Sequence, residues 1–351
     1  MSRSLLVTGA AGFIGANFVY HWAQHHPGDT LVAYDALTYA GNRASLKPLE
    51  ESGQLLFVQG DICDSRRVSE TMAEYATDTL VHFAAESHVD RSISGPDAFI
   101  RTNLIGTHTL LAAARARWLS GSGTPHRFHH VSTDEVFGSL DRSAPAFTET
   151  LRYQPNSPYS ASKAGSDHLV RAYHHTYGLD VTTSNCSNNY GPFHFPEKLI
   201  PLCLTNILDG RPLPVYGDGS NIRDWLYVED HARGIERVID AGVPGETYNI
   251  GGNNEWANLA IVELLCDHLD ARFASQPELA SRYPSSPAVS GESRSLISFV
   301  KDRAGHDWRY AIDASKVETM LGFTPSETFE TGIAKTIDWY LANEDWWRPL
   351  L

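Results

Sequence analysis

The stretch Leu5-Leu6-Val7-Thr8-Gly9-Ala10-Ala11-Gly12-Phe13-Ile14-Gly15 decides the fold. An apolar run enters G-x-x-G-x-x-G, and a second apolar segment begins within it. Strand, tight turn and helix start in that order leave backbone N–H groups pointing at one spot, where a pyrophosphate can sit, and glycines allow the close approach. Asp35 lies 20 residues beyond Gly15, at the end of the apolar run Leu31–Tyr34. A carboxylate there accepts hydrogen bonds from an adenosine ribose and disfavours a 2′-phosphate, so NAD is expected over NADP. Gly9, Gly12, Gly15 and Asp35 are therefore expected to bind the cofactor, with Asp61 and Ile62 bordering the adenine at the close of the third run.

Working outward, apolar runs recur at Leu5–Val7, Leu31–Tyr34, Leu55–Val58, Leu80–Phe83 and Phe128–Val131, with Val181–Ser184 as a sixth. Stretches long enough to cross a sheet separate them. Continuous hydrophobicity suits strands covered on both faces, so the expectation is an α/β fold: a doubly wound parallel, Rossmann-type sheet. After about residue 190 prolines, glycines and aromatics cluster, as in Pro212-Leu213-Pro214-Val215-Tyr216-Gly217, and helical segments follow. This predicts an NAD-binding domain over residues 1–187, also taking back a segment near 222–245. A smaller α/β substrate domain follows over 188–351. The serine-rich stretch 274–298, with Pro277, Pro284 and Pro287, reads as a loop or insertion.

The chain has 351 residues, with 28 Lys and Arg against 42 Asp and Glu and a formal charge of -14. That balance argues against a general nucleic-acid or membrane-surface binder, so any phosphate must be gripped locally. Cys63, Cys186, Cys203 and Cys266 are widely spaced, without C-x-x-C or a Cys/His ligand pattern, so no disulfide framework and no metal site is expected. No long apolar span and no leader-like segment is present, which predicts a cytoplasmic protein.

Two further stretches carry chemistry. Ser132-Thr133-Asp134-Glu135-Val136-Phe137-Gly138-Ser139 sets a hydroxyl and two adjacent carboxylates directly after an apolar strand. Neighbouring carboxylates repel, so one can keep its proton while the other stays ionised, which gives an acid and a base. Tyr159 and Lys163 are four apart and share a helix face. An unperturbed phenol is a poor base at neutral pH, but an ammonium nearby favours the phenolate, which could take a proton from a substrate hydroxyl as hydride leaves.

Thr8-Gly9-Ala10-Ala11-Gly12-Phe13-Ile14-Gly15 and Tyr159-x-x-x-Lys163 resemble the motifs of the extended short-chain dehydrogenase/reductases. Within them the chain resembles the 4,6-dehydratases that act on dTDP-glucose. The resemblance rests on Leu37-Thr38-Tyr39-Ala40-Gly41-Asn42, the run His82 to Ser92, Ser132 to Val136, Asn188-Asn189-Tyr190-Gly191-Pro192, Phe195 to Pro201 and Gly217 to Trp225. It implies a lyase that oxidises C4, eliminates water across C5 and C6 and returns the hydride to C6, on a tightly bound NAD regenerated each cycle. Tyr159 would take the C4 proton, Glu135 the C5 proton, and Asp134 would protonate the departing C6 hydroxyl, with Thr133 beside Tyr159 at the sugar. Phe13, Ile14, Ala36, Leu37, Thr38, Phe83, Ala84, Ala85, Ser87, Thr102 and Asn189 would contact NAD, with Tyr159 and Lys163. Ser87 and Thr133 would also face the hexose. The nucleotide diphosphate would lie against Asn188, Lys198, Leu199, Pro214, Tyr216, Arg223, Asn258, Arg303 and His306. A homodimer through a helix pair is implied too, with the Tyr159 helix as one candidate element. The sequence departs from the family pattern at Phe137, where Tyr is usual, at Ala36, where Lys is usual, and at Ala304 and Trp308, where Pro and Arg are usual.

Three other readings stand beside this one. A nucleotide-sugar 4-epimerase would share the glycine turn, Tyr159 and Lys163 but has no need of the Asp134-Glu135 pair. A 4,6-dehydratase for another nucleotide sugar differs only in pocket detail. A catalytically silent NAD-binding regulator would be expected to have lost Tyr159, Lys163 or the acids, and all four are present.

Overall fold

Seven parallel strands form the central sheet of the computed structural model, which describes residues 2–120, 123, 125–302 and 306–351. In chain order the strands are β1 (Ser4–Thr8), β2 (Thr30–Asp35), β3 (Leu56–Gln59), β4 (Thr79–His82), β5 (Arg127–Thr133), β6 (Val181–Cys186), β7 (Asn188–Tyr190), β8 (Leu213–Tyr216), β9 (Ile222–Tyr227), β10 (Thr247–Ile250), β11 (Glu255–Ala257) and β12 (Ile297–Val300). The large sheet runs β10-β6-β5-β4-β1-β2-β3, so the direction of winding reverses between β1 and β4. Open α/β sheets bind ligands in the crevice beyond the strand carboxyl ends at such a reversal. All six runs expected as strands lie in this sheet. The seventh, β10, reads Thr247-Tyr248-Asn249-Ile250 and is too polar to stand out as an apolar run.

Burial on both faces explains the unbroken hydrophobicity. Leu5 and Val7 of β1 pack with Phe18, Val19 and Trp22 of the helix Phe13–His25. Leu6 points the other way, among Leu80, Leu110 and Trp118. The first face is completed by chain that returns late: Ile235 and Val238 of the helix Val228–Ala241, then Tyr248, Val317 and Phe323. A second core gathers Tyr190, Ile207, Leu213, Trp225, Leu265, Phe329 and Trp347. It joins the three-stranded sheet β11-β9-β7 and the pair β12-β8 to the helices Leu199–Asp209, Asn258–Ser275 and Phe329–Ala342.

Residues 274–298 are not a loop. They hold a helix at Glu278–Arg282, two 3-10 turns, and the start of β12, which pairs with β8. The prolines that read as breakers act as starters: Pro277 precedes the helix, and Pro287 opens a turn capped by the Ser286 hydroxyl.

Candidate active site

A cavity of about 700 Å³ lies beyond the carboxyl ends of β1, β4 and β5, with the second core as its far wall. The glycine turn after β1 forms one end. Gly9 has φ +70°, and a Cβ there would lie 2.5 Å from the Ala84 backbone nitrogen, while a Cβ on Gly15 would lie 2.2 Å from the Gly9 carbonyl oxygen. Only glycine fits either position. The helix that starts at Phe13 has no side-chain cap and no acid in its first turn, so its opening N–H groups are left for an anion in the cavity that Phe13 and Ile14 line. Asp35 ties the turn to β2: its Oδ2 accepts from the Ala11 N–H at 2.9 Å and its Oδ1 from the Leu37 N–H at 2.7 Å. Burial pushes the Asp35 carboxyl up, and those two N–H bonds pull it back. These features fit a dinucleotide.

Gly12, Ala36, Thr38, Asp61, Ile62, Phe83, Ala84, Ala85, Ser87, Thr102 and Asn189 line the same end of the cavity. The loop 83–87 is held by Asn103, whose Oδ1 accepts from the Glu86 N–H and whose Nδ2 donates to the Glu86 carbonyl. Asn189 is fixed by His231 at 2.9 Å and by the Ser187 carbonyl. Leu37 is a different case. Its side chain packs against the first core instead of lining the cavity, and its backbone, at φ +54°, serves Asp35.

At the centre the chain leaves β5 in a 3-10 turn, Asp134–Phe137, with the Thr133 hydroxyl accepting from the Glu135 N–H. The two acids thus start a turn of helix and diverge. Asp134 is buried, and its Oδ2 has no hydrogen-bond partner among the described residues. Burial, then the charges of Glu135 and Asp224, hold its carboxyl well above the usual range against the pull of Arg223. That is the environment of a protonated acid. Glu135 is half-buried and its charge bears on the Tyr159 phenol.

Tyr159 and Lys163 stand on the helix Pro158–Tyr177, which begins with Pro158 at its first position and a capping box between Ser157 and Ser160. Lys163 reaches back to β5. The Lys163 Nζ donates to the Val131 carbonyl at 2.9 Å, and the largest charge effect on Tyr159 is that of Glu135. Burial and then Glu135 hold the phenol well above its usual range, opposed by a hydrogen bond from Thr133.

The far side is cationic. Arg223 is buried, with its guanidinium donating to the carbonyls of Ile222 at 2.7 Å and Asp307 at 2.9 Å, and it stacks 4.3 Å from the centre of the Tyr310 ring. Asn188, Lys198, Leu199, Pro214, Tyr216, Asn258 and His306 line this part of the cavity, and Asp302 lies 2.7 Å from His306 Nδ1. Arg303 and Ala304 lie outside the described residues. Phe137 stacks on Phe147 behind the acids, and Trp308 lies under Arg142.

Several cavity residues escaped the sequence reading: Cys186, His194, Glu197 and Tyr310 all line it. Asp167, behind the wall, is the sharpest case. It repeats the Tyr159-to-Lys163 spacing once more, and that interval was its only signal.

The family model described as GDP-mannose 4,6 dehydratase matches residues 6–336. A dTDP-glucose 4,6-dehydratase of Neisseria meningitidis serogroup B is 54% identical over 352 residues, covering 99% of this chain and 96% of the relative. The crystal structure of DesIV, a dTDP-glucose 4,6-dehydratase of Streptomyces venezuelae with NAD and dTDP bound, superposes with a TM-score of 0.88 at 46% identity. It covers 99% of this chain and 100% of that one. A dTDP-glucose 4,6-dehydratase of Bacillus anthracis in complex with NAD gives 0.86 at 41% identity, over 100% of both chains.

Proposed function

The chain belongs to the GDP-mannose 4,6 dehydratase family of short-chain dehydrogenase/reductase enzymes, and from that premise we infer that it is a lyase that converts dTDP-glucose to dTDP-4-keto-6-deoxyglucose and water. The reaction oxidises C4, eliminates water across C5 and C6 and reduces C6, with NAD as the cofactor. The observation that carries this reading in the site is Asp134 beside Glu135: one acid buried, with no partner for Oδ2 among the described residues, the other half-buried at the phenol.

Gly9, Gly12, Gly15 and the opening N–H groups at Phe13 and Ile14 would hold the pyrophosphate of NAD, and Asp35 the adenosine ribose. Bound NAD would supply a hydride acceptor and donor and, when oxidised, a positive ring that favours the phenolate, which burial and Glu135 oppose. Tyr159 takes the proton of the C4 hydroxyl, and Thr133 orients both partners. The C4 ketone acidifies C5–H, and Glu135 removes that proton. Asp134, holding its own proton, delivers it to the C6 hydroxyl, which leaves as water. Hydroxide is a poor leaving group without an acid, and C5–H a poor acid without a carbonyl and a base, so both carboxyls are needed. Glu135 then returns a proton to C5. Arg223, Lys198 and His306 offset the diphosphate charge, the arginine through its planar fork.

Assembly as a homodimer through a helix pair is supported by exposed apolar residues beside the Tyr159 helix: Ile93 at 50%, Ile100 at 46% and Ile105 at 52% exposure. No helix of the described residues is long and apolar enough to cross a membrane. We place the enzyme in the cytoplasm as part of the same proposal.

The test is incubation with dTDP-glucose in deuterated water without added NAD. A 4-keto-6-deoxy product with deuterium at C5 and hydride returned internally supports the reading. No reaction even with NAD supplied would shift it to another nucleotide sugar, and a C4 epimer to the epimerase.

A further inference from the structure

The helix Pro158–Tyr177 carries Tyr159, Lys163 and then Asp167, each one helical turn beyond the last. The proton step described above uses Tyr159, and Lys163 shares its helix face one turn on. Asp167 is buried, and both its oxygens are committed: Oδ1 lies 2.9 Å from His130 Nε2, and Oδ2 accepts from the Ser132 hydroxyl at 2.8 Å. The Tyr153 hydroxyl favours the ionised form of Asp167 as well. His130 and Ser132 flank Val131, whose carbonyl accepts from Lys163. Two side chains of one helix therefore grip three consecutive residues of β5, immediately before Thr133, Asp134 and Glu135.

We propose that Asp167 is a positioning residue for the proton step at Tyr159: it is the counter-charge that keeps the buried Lys163 an ammonium, and the tie that fixes the end of β5 against the Tyr159 helix. The proposal rests on the role given to Tyr159 above, with Lys163 as the ammonium on its helix face that favours the phenolate. The Lys163 ammonium is buried and its bond to Val131 is to a neutral carbonyl. A buried ammonium without a compensating charge sheds its proton. Burial pushes Lys163 down, and the Asp167 carboxylate acts first among the charges that push back.

The other groups around Asp167 do not compete for this role. His130 faces it from β5, with His82 of β4 behind at 5.3 Å between rings, and burial holds both imidazoles far below their usual range, hence neutral. Neutral His130 with its proton on Nε2 donates to Asp167, which leaves the buried Nδ1 as the nitrogen without a partner among the described residues. Cys186 of β6 faces Lys163 as a thiol pushed up to about 12. His168, the next residue of the helix, favours the ionised form of Asp167. Burial pushes Asp167 itself up to about 6, and Lys163, Ser132 and Tyr153 pull back towards the ionised form.

The test uses the holoenzyme of Asp167→Asn in single turnover with dTDP-glucose, following reduced nicotinamide as a function of pH. Removing the carboxylate lets burial take Lys163 lower, so the ammonium is lost at lower pH. The alkaline limb of the first hydride transfer should move down by about one unit or more, and the rate at neutral pH should fall roughly tenfold, the equivalent of one pKa unit. KM should be unchanged, and Asp167→Glu should restore part of the rate. A profile that superposes on the wild type overturns the proposal, and so does a rate lowered by the same factor at every pH, the mark of a merely structural role. Should Asp167→Asn not fold, Ser132→Ala decides: a smaller downward move of the same limb supports the proposal, and an unmoved limb overturns it. Tyr159→Phe is run alongside. If that variant still transfers hydride at the wild-type rate, the underlying reading of Tyr159 has failed and not the role of Asp167.

Discussion

The turn after β1 and the turn after β5 lie at two ends of one cavity and are built on opposite terms. The first is backbone. Gly9 and Gly15 are excluded from carrying a Cβ by neighbouring main chain, the carboxylate is satisfied by two N–H groups, and little in the turn needs to change state. The second is side chain. Asp134 has a buried oxygen without a partner among the described residues, Tyr159 is held above its usual range and Lys163 below. The first region is at rest before ligand arrives; the second holds groups displaced from the protonation behaviour they show in water. Binding asks for fixed geometry and proton transfer for groups poised to move, and the chain assigns each to the material that suits it.

The comparison breaks most sharply at Tyr159. Tyr159→Phe should lower the first hydride transfer by up to about 10⁴-fold while leaving NAD content and dTDP-glucose binding within twofold, checked by single-turnover absorbance and calorimetry. Glu135→Gln should spare that first step and lose about 10³-fold in product formation, with no exchange of deuterium into C5. Wild-type turnover in this variant would remove Glu135 as the base.

Asp134→Asn tests the cost of the displaced groups. Product formation should fall by about 10²-fold or more. Stability should move the other way. The folded carboxyl is raised above its unfolded value, so its contribution is favourable only at low pH and is lost as pH rises through the folded pKa. The amide never ionises. The variant should thus be more stable than the wild type at neutral and alkaline pH, by about 1–3 kcal/mol in denaturant titration, with the gap closing in acid.

The resting region should show the reverse pattern. Gly15→Ala forces a methyl onto the Gly9 carbonyl oxygen and should cost about 1–3 kcal/mol of stability with loss of bound NAD. Molecules that still retain NAD should turn over normally.

The same contrast governed what could be read in advance. Backbone-built features are legible because few residues can make them: the glycine turn, the apolar runs of β1 to β6 and Asp35 at a strand end. β10 was missed because Thr247 and Asn249 break its apolar character, and 274–298 because proline marks helix starts as readily as helix ends. Asp134, Glu135, Tyr159 and Lys163 were visible through spacing and motif. The weight of burial and of Glu135 at Tyr159 was not, because it depends on which neighbours the fold packs beside the phenol. Asp167 was overlooked because a carboxylate two turns down a helix reads as solvated surface until its partners on β5 are seen.

Asp35 carries a lesson for redesign. A carboxylate that discriminates between ribose and its phosphate looks like a single-letter control for cofactor choice. Here the same two oxygens hold the Ala11 and Leu37 N–H groups, and so anchor the turn that receives the pyrophosphate. Exchanging Asp35 for a neutral or basic residue to admit a phosphorylated ribose would also release that turn. Retargeting this enzyme to the phosphorylated cofactor therefore calls for a second substitution that supplies new acceptors to Ala11 and Leu37.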